Sequence, residues 1–201
     1  MHISIIAGSH RPNSQSARVG KYLQAQLQQL SPDTTTDLID LAGNPLPLWD
    51  ESAWQADGAV ARAFAPYAQK LRASDGLVVI SPEWAGMAPP ALKNFLLLAT
   101  EAEVGHKPAT IVTVSSSRGG SYPVDELRHS GYKNNKILWL PEHLIVRDVA
   151  DKFGAVSSGK DDDYLRARAT FALKQLLAYA SALVAVRQSG VTADKAFPFG
   201  M

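Results

Sequence analysis

Short apolar runs alternate with longer amphipathic segments along most of the chain. The short runs are typical of buried strands, and the longer segments repeat apolar residues at helical spacing. This pattern predicts five strands, at residues 3–7, 35–41, 77–80, 109–114 and 137–140. It also predicts helices at residues 19–30, 60–71, 92–100 and 161–187, with a short helix between the last two strands.

The alternation of strands and helices indicates right-handed βαβ units, which build a parallel sheet with helices on both faces. Five such strands match a three-layer, doubly wound α/β fold of the flavodoxin-like type, with strand order 2-1-3-4-5. We predict a single domain over residues 1–190 and a C-terminal tail over residues 191–201. The segment 156–160 is then a flexible connection within that domain.

The composition narrows the setting and the partners. The chain has 201 residues, of which 46% are apolar and 19% charged, and its formal net charge is +1. This balance gives no long-range field that would attract nucleic acid or an anionic membrane. Because there is no cysteine, disulfides, thiolate catalysis and cysteine–zinc sites are excluded, and a cytoplasmic setting is the simplest interpretation. The N-terminal apolar run is too short for a signal peptide, and we expect no apolar segment near the ~20 residues of a membrane span.

The segment 81–94, SPEWAGMAPPALKN, follows the third predicted strand directly. Gly86 and the proline pair after it indicate a shaped turn that leads into a helix, because proline is tolerated in the first helical turn. The turn carries a carboxylate and an indole, those of Glu83 and Trp84. It lies at the carboxyl edge of the sheet, where open α/β folds bind their ligands. The segment therefore predicts one wall of a ligand site.

The loop after the first strand is predicted to bind phosphate. Ser9, Ser14 and Ser16 offer hydroxyls, and Arg11 offers a fork of donors suited to phosphate oxygens. The start of the following helix adds the partial positive charge of its dipole. A simpler interpretation is that a serine caps the helix and that Arg11 is solvated. No G-x-G-x-x-G and no G-x-x-x-x-G-K-[ST] motif is present, which disfavours dinucleotide folds and nucleoside triphosphatases.

The loop after the fourth strand, SSSRGGSY at residues 115–122, is the third candidate. Two adjacent glycines permit a close backbone approach to a flat ligand, although such a pair is usually just a turn. The position gives it weight, because the loops after strands one, three and four meet at the switch point of a 2-1-3-4-5 sheet. One site can therefore combine phosphate donors with a planar pocket.

Together these segments resemble the NADPH-dependent FMN reductases, a flavodoxin-like family that includes quinone, azo-dye and chromate reductases. The resemblance covers roughly residues 1–150 in order. Its motifs are Gly8-Ser9-x-Arg11 with Ser14 and Ser16, the loop Pro45-Leu46-Pro47-Leu48-Trp49-Asp50, Pro82-Glu83-Trp84-x-Gly86, Pro90-Ala91-Leu92-Lys93-Asn94, and Arg118-Gly119-Gly120.

The resemblance implies an FMN site with assigned roles. The phosphate is expected on Ser9, Arg11, Ser14 and Ser16, the isoalloxazine against Pro82, Glu83, Trp84 and Gly86, and the pyrimidine end at the backbone N–H groups of Arg118, Gly119 and Gly120. Gln15, Ala85 and Ser116 complete the residues predicted to bind the cofactor. The family commonly has P-E-Y-N-G, so Trp84 and Ala85 depart from its pattern. The lost asparagine amide removes a possible hydrogen bond near the flavin or the substrate.

The implied activity is that of an oxidoreductase. NADPH or NADH would reduce the bound FMN, which would pass electrons in a ping-pong scheme to a second small acceptor such as free flavin, a quinone or an azo compound. That scheme needs no protein nucleophile or general acid, so we predict no catalytic side chain. The histidines show no metal-ligand spacing, and we predict no metal.

Several alternatives stay open at the level of sequence. Glu83 could cap its own turn or pair with Lys93 instead of contacting flavin. The chain could be a flavodoxin-like electron carrier or a flavin-binding sensor, although its balanced charge lacks the acidic docking face typical of carriers. The third helix has apolar residues on more than one face (Phe95, Leu96, Leu97 and Leu98), which predicts a homodimer or homotetramer.

Overall fold

The computed structural model describes residues 1–200, so Met201, the last residue of the predicted tail, lies outside the described residues. A single five-stranded sheet organises the chain, in the order β2-β1-β3-β4-β5. All four neighbouring pairs are parallel. The strands are β1 (His2–Ala7), β2 (Thr35–Asp40), β3 (Gly76–Pro82), β4 (Pro108–Val114) and β5 (Leu138–Val146). The predicted fold and strand order are confirmed.

Six α-helices accompany the sheet. They are α1 (Gln15–Leu30), α2 (Ala59–Ala73), α3 (Pro90–Leu98), α4 (Glu101–Val104), α5 (Tyr122–His129) and α6 (Lys160–Gln188). The chain also forms two short 3₁₀ helices, Glu51–Trp54 and Val149–Asp151. One 3₁₀ helix follows the proline-rich loop after β2, and α4 is a single turn after α3. Both are too short to show an apolar repeat, which is why the pattern did not predict them.

Two hydrophobic cores lie on opposite faces of the sheet. One contains Val19, Leu23 and Leu27 of α1 with residues of α6. The other contains residues of α2, α3 and α5. Strands β3 and β4 are buried along their whole length, because both of their faces are covered. These layers leave the carboxyl edge of the sheet, and the loops that follow the strands, for the site.

Strand β5 is longer than predicted. The apolar run ends at Leu140 and is followed by Pro141, Glu142 and His143, which look like a loop in the sequence. The strand nevertheless continues to Val146. It lies at the edge of the sheet, where a proline and polar side chains are tolerated. The pairing with β4 is irregular between Ala109 and Ile111, so the extra residues are absorbed in a bulge.

Helix α6 also corrects an expectation. By length and composition it could cross a membrane, since an 18-residue stretch of it has a mean hydropathy of 1.5. The prediction that no apolar segment approaches a membrane span is therefore wrong. One face of this helix, with Ala169, Leu173 and Leu176, packs in the core against the sheet. Core helices of globular domains pass the same test of length and composition but are mostly buried, whereas 28% of this stretch is buried.

A buried lysine ties β4 to the end of α2. The Nζ of Lys107 donates hydrogen bonds to the carbonyl oxygens of Leu71 and Arg72 at 2.6 and 3.1 Å. The carbonyl of Leu71 also accepts the N–H and the hydroxyl of Ser74, so the lysine adds to the cap at the C-terminal end of α2. Lys107 is only 6% exposed. Burial, and then the nearby Arg187 guanidinium, lower the pKa of Lys107 to about 8.

This lysine predicts a pH-dependent stability. Between pH 8 and the ordinary lysine value of 10.5 the unfolded chain keeps the proton that the folded chain has released. The free energy of unfolding therefore rises with pH in this window, by up to about 3 kcal/mol. We expect urea unfolding to show this rise for the wild type and not for Lys107→Met. The exposed Lys70→Met on α2 is the control, and parallel pH curves for the wild type and Lys107→Met would contradict the assignment.

Candidate FMN site at the carboxyl edge of the sheet

The loops after β1, β3 and β4 meet at the carboxyl edge and enclose a cleft of about 250 Å³. Its wall also includes Pro12, Asn13, Val114 and Val149, which the motifs did not indicate. Nine of the residues predicted for the site line the cleft: Ser9, Arg11, Ser14, Gln15, Ser16, Pro82, Glu83, Trp84 and Ser116. Five others, Ala85, Gly86, Arg118, Gly119 and Gly120, belong to the same loops but not to this lining.

The loop after β1 begins with a close backbone approach at Gly8. Its N–H donates to the carbonyl of Ile80 on β3 at 2.8 Å. A Cβ at this position would lie 2.7 Å from that same oxygen and 2.8 Å from the side chain of Leu92. Only glycine fits, and the contact sets the loop after β1 beside the loop after β3.

Helix α1 points its N-terminal end into the cleft with hydroxyls around it. Ser14 is the N-cap and its Oγ accepts the N–H of Ala17 at 3.1 Å, so the capping interpretation is correct for this serine. Ser9 is buried, and its Oγ accepts the N–H of Arg11 at 3.3 Å, which leaves its own hydrogen to donate. The Arg11 side chain is exposed at the rim.

Ser16 places an unpaired hydroxyl at the cleft. Its Oγ is buried and has no hydrogen-bond partner among residues 1–200. An unpaired buried hydroxyl costs about 1–3 kcal/mol, so such a group calls for a partner such as a water, an ion or a ligand. The first turn of α1 contains no acidic residue. The donors present therefore fit a phosphate group.

The loops after β3 and β4 are joined by Glu83. Its Oε2 accepts the N–H of Gly120 at 2.5 Å. A Cβ on Gly119 would lie 2.8 Å from the other carboxylate oxygen, and Gly120 has a φ of +110°, which favours glycine. Gly119 thus makes room for the carboxylate, whereas a Cβ on Gly120 would lie 2.6 Å from the side chain of Ile145. Glu83 does not pair with Lys93, and the N–H of Gly120 is not free to face a ligand as we predicted.

Arg147 holds the same loop from the other side, and no sequence motif indicated it. Its Nε donates to the carbonyls of Arg118 and Gly119 at 2.7 and 3.2 Å. A second guanidinium nitrogen lies 3.2 Å from the Oγ of Ser121. Because Arg147 follows the last residue of β5 directly, the edge strand positions a loop that belongs to β4.

The tip of the loop after β3 is a two-residue hairpin. Trp84 and Met87 exchange both backbone hydrogen bonds, at 3.1 and 2.9 Å. The two residues between them, Ala85 and Gly86, have φ values of +51° and +74°. Positive φ at both central positions is the signature of a type I′ turn. The turn fixes the backbone of Trp84, whose half-buried indole lines the cleft.

The polar residues of α3 hold neighbouring loops. The side chain of Asn94 accepts the N–H of Trp49 at 2.9 Å and donates to the carbonyl of Pro47 at 2.8 Å, and so pins the proline-rich loop after β2. Lys93 forms an ion pair with Glu126 of α5 at 3.2 Å. Both side chains thus make structural contacts, Asn94 with the loop after β2 and Lys93 with α5.

Comparison with known proteins agrees with this geometry. The model of the NADPH-dependent FMN reductase family matches residues 1–151. The chain belongs to this family. It is thus an FMN-dependent NAD(P)H oxidoreductase, with FMN as cofactor and NAD(P)H as co-substrate.

Two curated relatives and one solved structure illustrate the similarity. A 2-hydroxy-1,4-benzoquinone reductase of Burkholderia sp. is 32% identical over 175 residues, covering 83% of this chain and 91% of the relative. An NADPH azoreductase of Bacillus sp. (strain OY1-2) is 25% identical over 146 residues, covering 73% and 76%. The structure of an oxidoreductase from Corynebacterium diphtheriae shares the fold, with a TM-score of 0.68, 17% identity and coverage of 91% and 96%.

The family motif P-E-Y-N-G explains what is unusual at Ala85. Asn-Gly is the preferred central pair of a type I′ turn, because asparagine and glycine tolerate positive φ. In this chain alanine occupies the first of these positions with a φ of +51°, a conformation that costs a residue with a Cβ about 1–2 kcal/mol. The asparagine of the family therefore serves the turn, whatever contact it makes with a ligand.

Replacing Ala85 by asparagine is expected to stabilise the protein. The free energy of unfolding of Ala85→Asn should rise by about 1 kcal/mol, because the strain of alanine at positive φ is relieved. Urea unfolding measures the change. Ala56→Asn is the control, since Ala56 is also an exposed turn residue but is absent from the positive-φ positions. Equal or lower stability of Ala85→Asn would contradict the proposed strain.

Proposed function

We propose that FMN binds in the cleft at the carboxyl edge and that the protein passes electrons from NAD(P)H to a quinone or azo acceptor in a ping-pong scheme. The observation that carries the proposal is the buried hydroxyl of Ser16, which lacks a partner among residues 1–200 and stands at the N-terminal end of α1. The assignment of the predicted residues to FMN is part of this proposal. So are the cytoplasmic setting and a single domain over residues 1–190.

The donor set supports a phosphate at the start of α1. The hydroxyls of Ser9 and Ser16 and the N-terminal backbone of α1 surround one end of the cleft, and Arg11 stands at its rim. Hydrogen bonds to an ionised phosphate are about twice as strong as those between neutral groups, and the helix dipole adds to them. These residues would hold the phosphate and leave the rest of the ligand to lie toward the loop after β3.

The loop after β3 offers the surfaces that a planar ring needs. Pro82 and Trp84 supply apolar and aromatic faces, and Glu83 supplies a carboxylate already fixed by Gly120. When bound there, FMN supplies the two-electron chemistry that no side chain of this protein provides. The chain's own part is to bind and orient the ring and to leave one side of it open to nicotinamide and acceptor in turn.

The class of acceptor is proposed from the relatives. One relative is named a 2-hydroxy-1,4-benzoquinone reductase and another an NADPH azoreductase. The two names indicate a quinone and an azo compound as electron acceptors, and both are conjugated molecules that accept electrons in pairs. We extend this class of acceptor to the present chain.

Substitution of Ser16 tests the phosphate assignment. We expect Ser16→Ala to weaken FMN binding about tenfold or more, because a hydrogen bond to a charged group contributes about 1.5–3 kcal/mol. The same change should leave the apo protein as stable or slightly more stable, since it removes an unpaired buried hydroxyl from a helix. Flavin fluorescence titration and thermal unfolding measure the two effects. Ser117→Ala, in the exposed part of the loop after β4, is the control.

Two results would contradict the proposed function. A purified protein that stays colourless and takes up no added FMN would remove the flavin site altogether. A protein that binds FMN but consumes no NADH or NADPH with a quinone acceptor would be an electron carrier. Parallel lines in double-reciprocal plots at several acceptor concentrations would support the ping-pong scheme.

The outer surface of α3 supports the proposed homo-oligomer. Phe95, Leu96 and Leu98 are buried in the core, whereas Leu97 is 61% exposed. A groove of about 720 Å³ runs past it, and its lining includes Trp54 and Phe199. These two side chains are 74% and 72% exposed, and exposed apolar side chains grouped along one groove are candidates for a protein–protein interface.

We expect the wild type to be a dimer or tetramer by light scattering at micromolar concentration. Leu97→Glu should shift it to a monomer, because the charge would be buried in the interface. Val156→Glu replaces another exposed apolar residue, 83% exposed on a distant loop, and should not change the mass. A monomeric wild type would contradict the interface.

A further inference from the structure

A contact between two rings joins the loop after β1 to the loop after β3. The imidazole of His10 and the indole of Trp84 lie with their centroids 4.7 Å apart and their planes at 82°. We propose that His10 is a positioning residue that holds the indole of Trp84 as a wall of the cleft and thereby sets the affinity for a planar ring. The inference rests on the proposed FMN site.

The backbone of His10 is anchored on both sides. The residue lies between buried Ser9 and exposed Arg11, two positions after the contact of Gly8 with β3. Its carbonyl accepts the N–H of Gly43, from the loop after β2, at 3.0 Å. The short stretch 8–10 is therefore hydrogen-bonded both to β3 and to the loop after β2. The imidazole projects from this stretch.

No group of the protein hydrogen-bonds the Nδ1 of His10. This atom is buried and unpaired among residues 1–200, although the residue as a whole is half-buried. A histidine commonly fixes its ring orientation through a hydrogen bond at one ring nitrogen. Here the contact with the indole takes that place, because an edge-to-face arrangement of this spacing is itself favourable.

The indole depends on the contact as well. The hairpin to Met87 fixes the backbone of Trp84 but leaves the two side-chain torsions free. Among residues 1–200, the ring of His10 is the aromatic partner of Trp84, and Met87 is 56% exposed at the far end of the turn. Without His10 the indole could occupy other rotamers, and a ligand ring would have to pay for ordering it.

The pair connects the two halves of the proposed site. A ligand with its phosphate on the loop after β1 and its ring against the loop after β3 uses both loops at once. His10 belongs to the first loop and braces the wall of the second, so the spacing of the two subsites is set before the ligand arrives. The effect should fall on the ring and not on the phosphate.

A double-mutant cycle tests the pair. The variants are His10→Ala, Trp84→Ala and the double variant, and the readout is the dissociation constant for FMN and for riboflavin, which lacks the phosphate. We expect His10→Ala to weaken both ligands by about three- to tenfold, the range expected for one aromatic pair. We also expect a coupling of at least about threefold between the two positions. Ser16→Ala, in contrast, should weaken FMN alone.

Two further variants separate positioning from a general loss of structure. His10→Phe keeps an aromatic ring at the position and should bind both flavins within about twofold of the wild type. His129→Ala removes a 77% exposed side chain elsewhere and should change nothing. In the apo protein, the near-ultraviolet circular dichroism of Trp84 is obtained by subtracting the spectrum of the same protein with Trp84→Phe. We expect this signal to collapse when His10→Ala is introduced and to return with His10→Phe.

The outcomes distinguish the two proposals. If the wild type binds FMN but the cycle is additive and His10→Ala binds within about twofold of wild type, the role of His10 is overturned and the FMN site stands. If the wild type binds neither flavin, the proposed function fails and the effect of His10 on flavin affinity fails with it. The apo dichroism then still decides whether His10 holds the indole.

Discussion

The close approach of the loop after β1 to β3 is the constraint on which the site depends. Gly8 donates to Ile80 at 2.8 Å and has no room for a side chain. The contact lies where β1 and β3 are neighbours although they are not consecutive in the chain. At this point the loop after β1 and the loop with the carboxylate and the indole must lie side by side. Any larger residue at this position would push the two loops apart and disrupt the cleft between them.

The rest of the site is made rigid by contacts between loops. Glu83 accepts the N–H of Gly120 from the next loop, and Arg147 donates to two carbonyls of that loop from the end of β5. Beyond the ends of the strands, charged side chains thus provide the hydrogen-bond partners of backbone groups that have none in the sheet. These hydrogen bonds are stronger than bonds to neutral partners. Preorganisation of this kind lowers the ordering cost of binding a flat ligand.

The sequence predicted the central strands well because β1, β3 and β4 are buried on both faces and appear as continuous apolar runs. It predicted β5 poorly because Pro141 and the polar residues beside it are acceptable only at an edge, and position in a sheet is not a local property. In the site, Ser9, Ser16 and Trp84 were predicted from motif and position. The contact of Glu83 with Gly120 and the role of Arg147 were not predictable, since both depend on the relative placement of three loops.

This chain departs from the family motif at Trp84 and Ala85, where a change disturbs the stability and the cleft least. In the proposed function the loop after β1 holds a phosphate, so its residues must match the fixed geometry of an anion and a change there would leave a charge without donors. The hairpin tip is different, because Ala85 is exposed and the turn is closed by the backbone bonds of Trp84 and Met87. A strained alanine there lowers stability by a local amount of about 1–2 kcal/mol and leaves the cleft intact. A tryptophan beside it needs more than the turn to fix its larger ring, and His10 is placed on the neighbouring loop where it can provide that support.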